Sequence, residues 1–190
     1  WTSEGKVGGA YEFDGDGDYV EFGDIDSIEE TNVSFSFWTK VDNLDIDHDF
    51  ITKGTHNTGS PLIIWRDDSV GSGSDSGNSN ALSVLVYDGD NQDWYASSSG
   101  SLNNYEWNHI AVNIVPGGNI SIYINGDLER TGGMSGSGIN IGTESLVIGA
   151  DEDRGGPVLD GSIDEVMIFN KALTEAQVKD IYSRTKGGRI

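Results

Sequence analysis

Apolar and polar residues alternate along residues 32–41, the clearest pattern in the chain. Val33, Phe35, Phe37 and Val41 fall on one side of the alternation, and serine and lysine residues fall on the other. Successive side chains of a strand point to opposite faces of a sheet. The pattern therefore predicts a strand with one face in a hydrophobic core.

The same alternation occurs twice more, in residues 107–115 and 119–125, on either side of Pro116-Gly117-Gly118. Proline and glycine favour tight turns, so the two runs predict an antiparallel hairpin. The apolar positions that should share one face of this hairpin are Ile110, Val112, Ile114, Ile120, Ile122 and Ile124.

Other strand-like runs lie between glycine-rich and aspartate-rich turns. They are residues 9–14, 19–22, 62–66, 81–87, 145–150 and 162–169. One helix is predicted over residues 174–184, because Thr174 and Gln177 have the spacing of a capping box and a short apolar stripe follows. We see no internal repeat or domain boundary. The order predicts an all-β fold, a two-sheet antiparallel sandwich formed by one domain, residues 1–190, with one short C-terminal helix.

The composition limits the possible functions. The chain has 190 residues, of which 35% are apolar, and its 32 acidic against 11 basic residues give a net charge of −21. Such a field repels nucleic acid and anionic membranes, so neither is an expected partner. The acidity suits either a solvated surface in a saline or extracellular setting or a set of carboxylates that bind Ca²⁺.

The residue types that are missing are also informative. Without cysteine there can be no disulfide, thiolate metal site or cysteine nucleophile, and the three histidines do not have the spacing of a zinc site. No apolar run approaches the roughly 20 residues needed to span a bilayer, so membrane insertion is not expected. The chain starts at Trp1 without an initiator methionine. We therefore expect a domain cut from a longer protein.

Several short motifs occur in an order that resembles one known family. They are residues 5–15 (GKVGGAYEFDG), 35–40 (FSFWTK), 51–54 (ITKG), 107–112 (WNHIAV), 123–126 (YING), 148–150 (IGA), 161–166 (GSIDEV) and 170–174 (NKALT). Together they resemble the laminin-G-like branch of the concanavalin A-like lectin/glucanase superfamily. The resemblance implies a jelly-roll sandwich of about a dozen strands, with a concave and a convex sheet.

The resemblance also implies a role. Members are commonly accessory modules of secreted or cell-surface proteins. The leading hypothesis is a non-catalytic carbohydrate-binding or adhesive module, extracellular and monomeric, with a glycan or cell-surface glycoconjugate as partner. The alternatives are a structural or protein-binding domain and a polysaccharide-degrading enzyme.

The retaining glucanases of this fold share a catalytic sequence motif. It is a strand with the pattern Glu-x-Asp-x-(x)-Glu, which places two carboxylates on one face about 5 Å apart. Here the one Glu-x-Asp is Glu12-Phe13-Asp14, and glycine and aspartate follow it instead of a second glutamate. The sequence therefore favours a protein that is not an enzyme.

Aspartates near both ends of the chain predict a structural calcium site. Asp14, Asp16 and Asp18 project from a glycine-rich turn. Alternation along residues 162–169 puts Asp164 on the same face as Val166 and Ile168, which should face the core, where a carboxylate needs a partner. In the resembling family a Ca²⁺ often joins the first strand to the last, and Asp14 and Asp164 match those positions. In the alternative, Asp164 caps backbone amides.

Long loops on a rigid sandwich usually carry the function, and the longest irregular stretches here are residues 42–60, 67–80, 88–105 and 151–160. Sugars stack on aromatic rings and need carboxylates or amides for their hydroxyls. Tryptophans 38 and 107 fall in the fold motifs and are interpreted as packing residues. If the loops meet at one rim of the concave sheet, the predicted ligand site consists of Asp47, His48, Asp88, Asp90, Trp94, Tyr95, Asp151 and Arg154.

Overall fold

Two antiparallel sheets of six strands form the protein in the computed structural model. The structure describes residues 1–25, 28, 32–54, 62–68, 80–87, 91–98, 100–136, 138–139, 142–151 and 158–188. In this part of the chain no helix has the length and apolar character that crossing a membrane requires.

The first sheet has the strand order β1-β12-β3-β8-β9-β10. Its strands are β1 (Tyr11–Asp14), β3 (Val33–Val41), β8 (Asn108–Ile114), β9 (Asn119–Ile124), β10 (Asp127–Gly133) and β12 (Asp160–Phe169). The second sheet has the order β2-β11-β4-β5-β6-β7. Its strands are β2 (Val20–Glu21), β4 (His48–Lys53), β5 (Leu62–Asp67), β6 (Ala81–Tyr87), β7 (Gln92–Ala96) and β11 (Leu146–Ile148).

The hydrophobic core lies between the two sheets, as the alternation predicted. Phe35 and Phe37 of β3 pack there with Ile110 of β8 from the first sheet, and with Leu62 and Val84 from the second. All five side chains are buried. The all-β jelly-roll prediction with one C-terminal helix is confirmed.

Helix α1 (Glu175–Thr185) packs on the outer face of the first sheet, away from the core. The predicted capping box is present, with Thr174 as the N-cap and Gln177 as its partner. Val178 is buried against Ala111 and Tyr123. The helix therefore covers part of the outer face of the first sheet.

Three strands lie where the sequence did not predict them. Strands β4 and β7 fall within stretches predicted to be irregular, and β10 follows the predicted hairpin. The buried strand β4 contains His48, Asp49 and Lys53, which hide its apolar alternation. Strand β10 lies at the sheet edge and is largely exposed, so neither of its faces needs to be apolar.

The predicted face of Asp164 is wrong, because a β-bulge interrupts β12 between Asp164 and Met167. Glu165 in the bulge has a φ of 51°. Asp164 pairs with Trp38, on the outer face of the sheet, whereas Ile168 pairs with the core residue Phe35. An extra residue in one strand shifts the alternation, so side chains before and after a bulge change faces.

Candidate functional site

The outer face of the second sheet has apolar side chains, acidic side chains and a few small hydroxyl side chains. Strand register places Thr52, Ile63, Leu85 and Trp94 in one row across the sheet. The next row contains Asp49, Trp65 and Ser83, and the row after that contains Asp67. Since one strand period separates Trp65 from Asp67, the aromatic and acidic side chains are neighbours on one face, where all of these residues are buried except Trp94, which is partly exposed.

Two tryptophans form the centre of this face. The rings of Trp65 and Trp94, here called the aromatic pair, have centroids 5.7 Å apart and are tilted by 43°. They pack with Ile63 and Leu85 in a cluster separate from the core between the sheets. Trp65 is 5% exposed and Trp94 is partly exposed. Trp65 therefore orients the ring that Trp94 presents.

The indole N–H of Trp94 is a donor without a hydrogen-bond partner among the described residues. Leaving a buried donor unpaired costs about 1–3 kcal/mol. Indole N–H groups of buried tryptophans usually find an acceptor. Because this nitrogen is itself buried, the part of Trp94 that is accessible is its ring.

An acidic cluster, defined as Asp47, Asp67 and Asp68, lies at the end of β5. One carboxylate oxygen from each residue lies within 4.8 Å of the others. The Asp47 carboxylate accepts a hydrogen bond from the Asp68 backbone N–H at 2.7 Å. Burial, together with the negative charges of Asp68 and Asp67, raises the pKa of Asp47 to about 6, although the backbone hydrogen bond opposes this.

The raised pKa of Asp47 predicts how pH affects stability. The folded state binds the proton more tightly than the unfolded state, so Asp47 destabilises the fold as pH rises through about 6. Asp47→Asn keeps an acceptor for the Asp68 amide. We expect this variant to melt above the wild type at pH 7 and close to it at pH 4.5. A stability difference that does not change between these two pH values would contradict the shift.

Of the residues predicted to bind ligand, Trp94 and Asp47 lie on or beside this outer face. Tyr95 does not, because side chains alternate along β7 and its ring packs against the core. Its hydroxyl donates to the Gly133 carbonyl oxygen at 2.5 Å. A Cβ on Gly132 would lie 1.9 Å from the Tyr95 ring, so glycine makes room for this packing.

His48 is also directed away from any ligand. It is fully buried, and one ring nitrogen lies 2.5 Å from the Asn43 carbonyl oxygen. The other ring nitrogen lies 3.3 Å from the Val158 carbonyl oxygen and 3.2 Å from the Asp160 backbone nitrogen. Burial lowers the pKa of His48. The imidazole is therefore a neutral structural bridge at the end of the sandwich.

Asp151 lies beside β4, since the preceding carbonyl, that of Ala150, accepts a hydrogen bond from Thr52 at 2.7 Å. Strands β5 and β6 separate β4 from β7. Strands β4 and β7 are therefore roughly 14 Å apart, and Asp151 does not lie beside Trp94. The other three predicted ligand residues, Asp88, Asp90 and Arg154, lie outside the described residues.

The residues predicted to hold calcium fall into two separate places. Asp14 pairs with Asp160, whereas Asp164 is four residues further along β12. At about 3.3 Å per residue, the two backbone positions are roughly 13 Å apart. The register thus keeps Asp14 and Asp164 from meeting at one ion.

Each of these carboxylates already accepts backbone hydrogen bonds. Asp164 accepts from the N–H groups of Val7 and Glu165, each at 2.7 Å, which is the amide-capping alternative. In the β1–β2 turn, Asp14 accepts from the Asp16 N–H at 2.9 Å. Asp18 accepts from the Asp14 N–H at 3.4 Å. The two contacts of Asp14 and Asp18 lie within the turn and help to order it.

The sequence matches a family model of the concanavalin A-like lectin/glucanase superfamily over residues 14–179. The chain belongs to this superfamily. No curated protein sequence matches the chain significantly.

Solved structures of this superfamily's fold resemble the chain over nearly its whole length. Domain 4 of an extracellular arabinanase from Geobacillus stearothermophilus, in complex with arabinotriose, superimposes with a TM-score of 0.67 at 23% identity, covering 94% of this chain and 79% of that one. The Ruminococcus gnavus IT-sialidase CBM40, bound to α2,3 sialyllactose, gives 0.69 at 10% identity, covering 91% and 96%. The binding domain of botulinum neurotoxin serotype D gives 0.69 at 15% identity, covering 97% of this chain and 44% of that one.

Membership of the superfamily accounts for the sandwich, and residue-level geometry defines the site within it. Trp65, Asp49 and Asp67 contribute to the outer face although the predicted ligand set omitted them. The available signal was the apolar run of β5, in which Trp65 has the opposite phase to the core residues Leu62 and Ile64. An aromatic residue out of phase with the core indicates a second apolar surface.

Proposed function

We propose that this superfamily member is a non-catalytic carbohydrate-binding module of a secreted or cell-surface protein. The observation that carries this proposal is the aromatic pair on the outer face of the second sheet, in which the Trp94 ring is partly exposed. Sugar rings have apolar CH faces that stack on indole rings, and hydroxyls that need fixed polar partners. The Trp94 ring supplies the stacking surface, and the half-buried carboxylates of Asp47 and Asp68 supply acceptors.

Charge and the comparisons favour the same class of ligand. The acidic cluster lies at the edge of this face with Asp47 and Asp68 half-buried, so neutral or cationic sugars suit the face better than anionic ones. The similar structures include an arabinanase domain with arabinotriose and a CBM40 with sialyllactose, which supports a glycan as the partner. The chain also lacks the paired carboxylates of the retaining glucanases.

A glycan array, run with and without calcium, tests this proposal. We expect retention of one or more neutral oligosaccharides, with arabinotriose included as a probe. An array that retains no glycan under either condition would contradict it. Release of reducing ends from a β-glucan by the isolated chain would instead indicate an enzyme.

The alternative is a protein-binding domain, and one feature of the surface favours it. Trp1, Tyr11 and Phe22 are 79%, 59% and 55% exposed, respectively. They line a cleft of about 330 Å³ beside β1 and β2. Exposed apolar patches of this kind occur at protein–protein contacts. An array without glycan binding would leave this alternative as the better account.

We further propose that calcium stabilises the domain through the β1–β2 turn. Ligand that binds only the folded state raises its stability by RT ln(1 + [L]/Kd). The melting temperature should therefore rise with calcium, fall with chelator and lose this response in Asp16→Asn. A melting temperature indifferent to calcium would contradict the proposal. A response that disappears in Asp68→Asn but remains in Asp16→Asn would place the ion at the acidic cluster.

A further inference from the structure

A cavity lies beside helix α1 and the outer face of the first sheet, on the side of the sandwich opposite to the aromatic pair. Its volume is about 520 Å³, within the range of roughly 300–1,000 Å³ typical of small-ligand sites. We call it the lysine cavity. Its walls include two lysines and three aromatic residues, which are Lys6, Lys186, Trp38, Trp107 and Tyr182.

The two lysines give this cavity a charge opposite to that of the protein. The chain has a net charge of −21, yet among the described residues the cavity is lined by two ammonium groups and one carboxylate, that of Glu106. The Lys6 ammonium lies 4.5 Å from the ring centroid of Trp38, and that of Lys186 lies 5.4 Å from that of Tyr182. Neither ammonium forms an ion pair with a carboxylate of the described residues.

The walls of the cavity are fixed by hydrogen bonds and ring contacts. The Trp38 indole N–H donates to Thr185 Oγ1 at 2.8 Å, and its ring centroid lies 5.7 Å from that of Tyr182. Across the cavity, the Asn108 side chain donates to the carbonyl oxygens of Asn103 at 2.9 Å and Glu106 at 3.0 Å. A ligand would therefore enter a formed site and pay little ordering entropy.

The position of Lys186 also suits an anion. Lys186 is the C-cap of α1, where the helix dipole favours a cation, and its ammonium lies over the Tyr182 ring in the wall of the cavity. Cation–π contact leaves ammonium N–H bonds free for a carboxylate. A carboxylate accepts charge-assisted hydrogen bonds, and an adjoining sugar ring can stack on an aromatic wall.

We propose that the lysine cavity binds the carboxylate of a small sugar acid, at a site separate from the aromatic pair. Lys6 and Lys186 hold the carboxylate, and Trp107 and Tyr182 contact the ring. Because the Debye length is about 8 Å at physiological ionic strength, repulsion by distant carboxylates is largely screened there. This second site would allow the acidic protein to bind an anionic sugar without calcium. The acidic cluster at the outer face of the second sheet disfavours such a ligand there.

Titration followed by NMR, with D-glucuronate as probe in the presence of chelator, tests the proposal. Methyl glucoside supplies the ring without the carboxylate, and acetate supplies a carboxylate without the ring. We expect saturable shifts of the Trp38 and Trp107 indole signals with glucuronate alone. Equal shifts with methyl glucoside, equal shifts with acetate, or no shifts with glucuronate would overturn it.

Lysine substitutions provide the matched comparison. Lys6→Gln and Lys186→Gln should each weaken glucuronate binding about tenfold or more, since each removes a charge-assisted hydrogen bond. Lys171→Gln removes the same charge from an exposed residue outside the cavity and should leave binding within about twofold of the wild type. Equal weakening by all three would indicate a general charge effect and contradict a specific site.

Discussion

Replacing Trp94 with alanine is expected to reduce glycan binding by about tenfold to a hundredfold while leaving the fold intact. Trp94 provides the partly exposed ring of the aromatic pair. Stacking on an aromatic side chain contributes about 1–3 kcal/mol for a nucleic-acid base, and we expect a contribution in the same range for a sugar ring. Isothermal titration with the best oligosaccharide from the array measures the change.

Trp1→Ala is the matched control for this substitution. Trp1 is 79% exposed and lines the cleft beside β1, outside the second sheet's outer face. We expect it to bind glycan like the wild type. Trp94→Phe should keep part of the affinity, because it retains a stacking ring and loses only the N–H. Full affinity in Trp94→Ala, or equal loss in Trp1→Ala, would contradict the assignment.

Replacing Lys53 with alanine is expected to lower the free energy of unfolding by about 3–5 kcal/mol. Lys53 is fully buried. Its ammonium donates to Asp24 Oδ1 at 2.6 Å and to the carbonyl oxygens of Gly142 at 3.0 Å and Glu144 at 2.7 Å. Without the ammonium these acceptors lose their donor, and the missing stem leaves a cavity. Urea unfolding at pH 7 measures the loss.

Lys53→Met separates the two contributions. Methionine restores most of the buried volume but none of the hydrogen bonds, so this variant should recover part of the stability lost in Lys53→Ala. If the free energy of unfolding of the alanine variant lies within about 1 kcal/mol of that of the wild type, the ammonium does not hold these segments together.

The sequence predicted those elements whose apolar residues keep one phase. Strand β3 and the β8–β9 hairpin were readable because a polar face and a core face alternate without interruption. Strand β4 was not, because its buried Lys53 is stabilised by partners far away in the chain, Asp24 and Glu144. Local periodicity contains no information on such contacts.

The site was predicted less well than the fold, for reasons of phase and register. Trp94 and Tyr95 were assigned to one site, but a strand directs neighbouring side chains to opposite faces. Asp14 and Asp164 were paired through family resemblance, and the register of β1 with β12 separates them. The bulge at Glu165 moved Asp164 to the outer face. Bulges and register depend on tertiary pairing, which one sequence does not display.

The most direct test of glycan binding at the aromatic pair is a titration of the wild-type chain with the best neutral oligosaccharide, followed by indole N–H signals in an NMR spectrum. The chain has five tryptophans, and their indole signals report on three places, the aromatic pair, the lysine cavity and the cleft beside β1. The proposed site predicts that the signals of Trp65 and Trp94 shift and saturate together, while those of Trp1, Trp38 and Trp107 stay in place. A shift of the Trp38 or Trp1 signal without a shift of the Trp94 signal would contradict the proposed site.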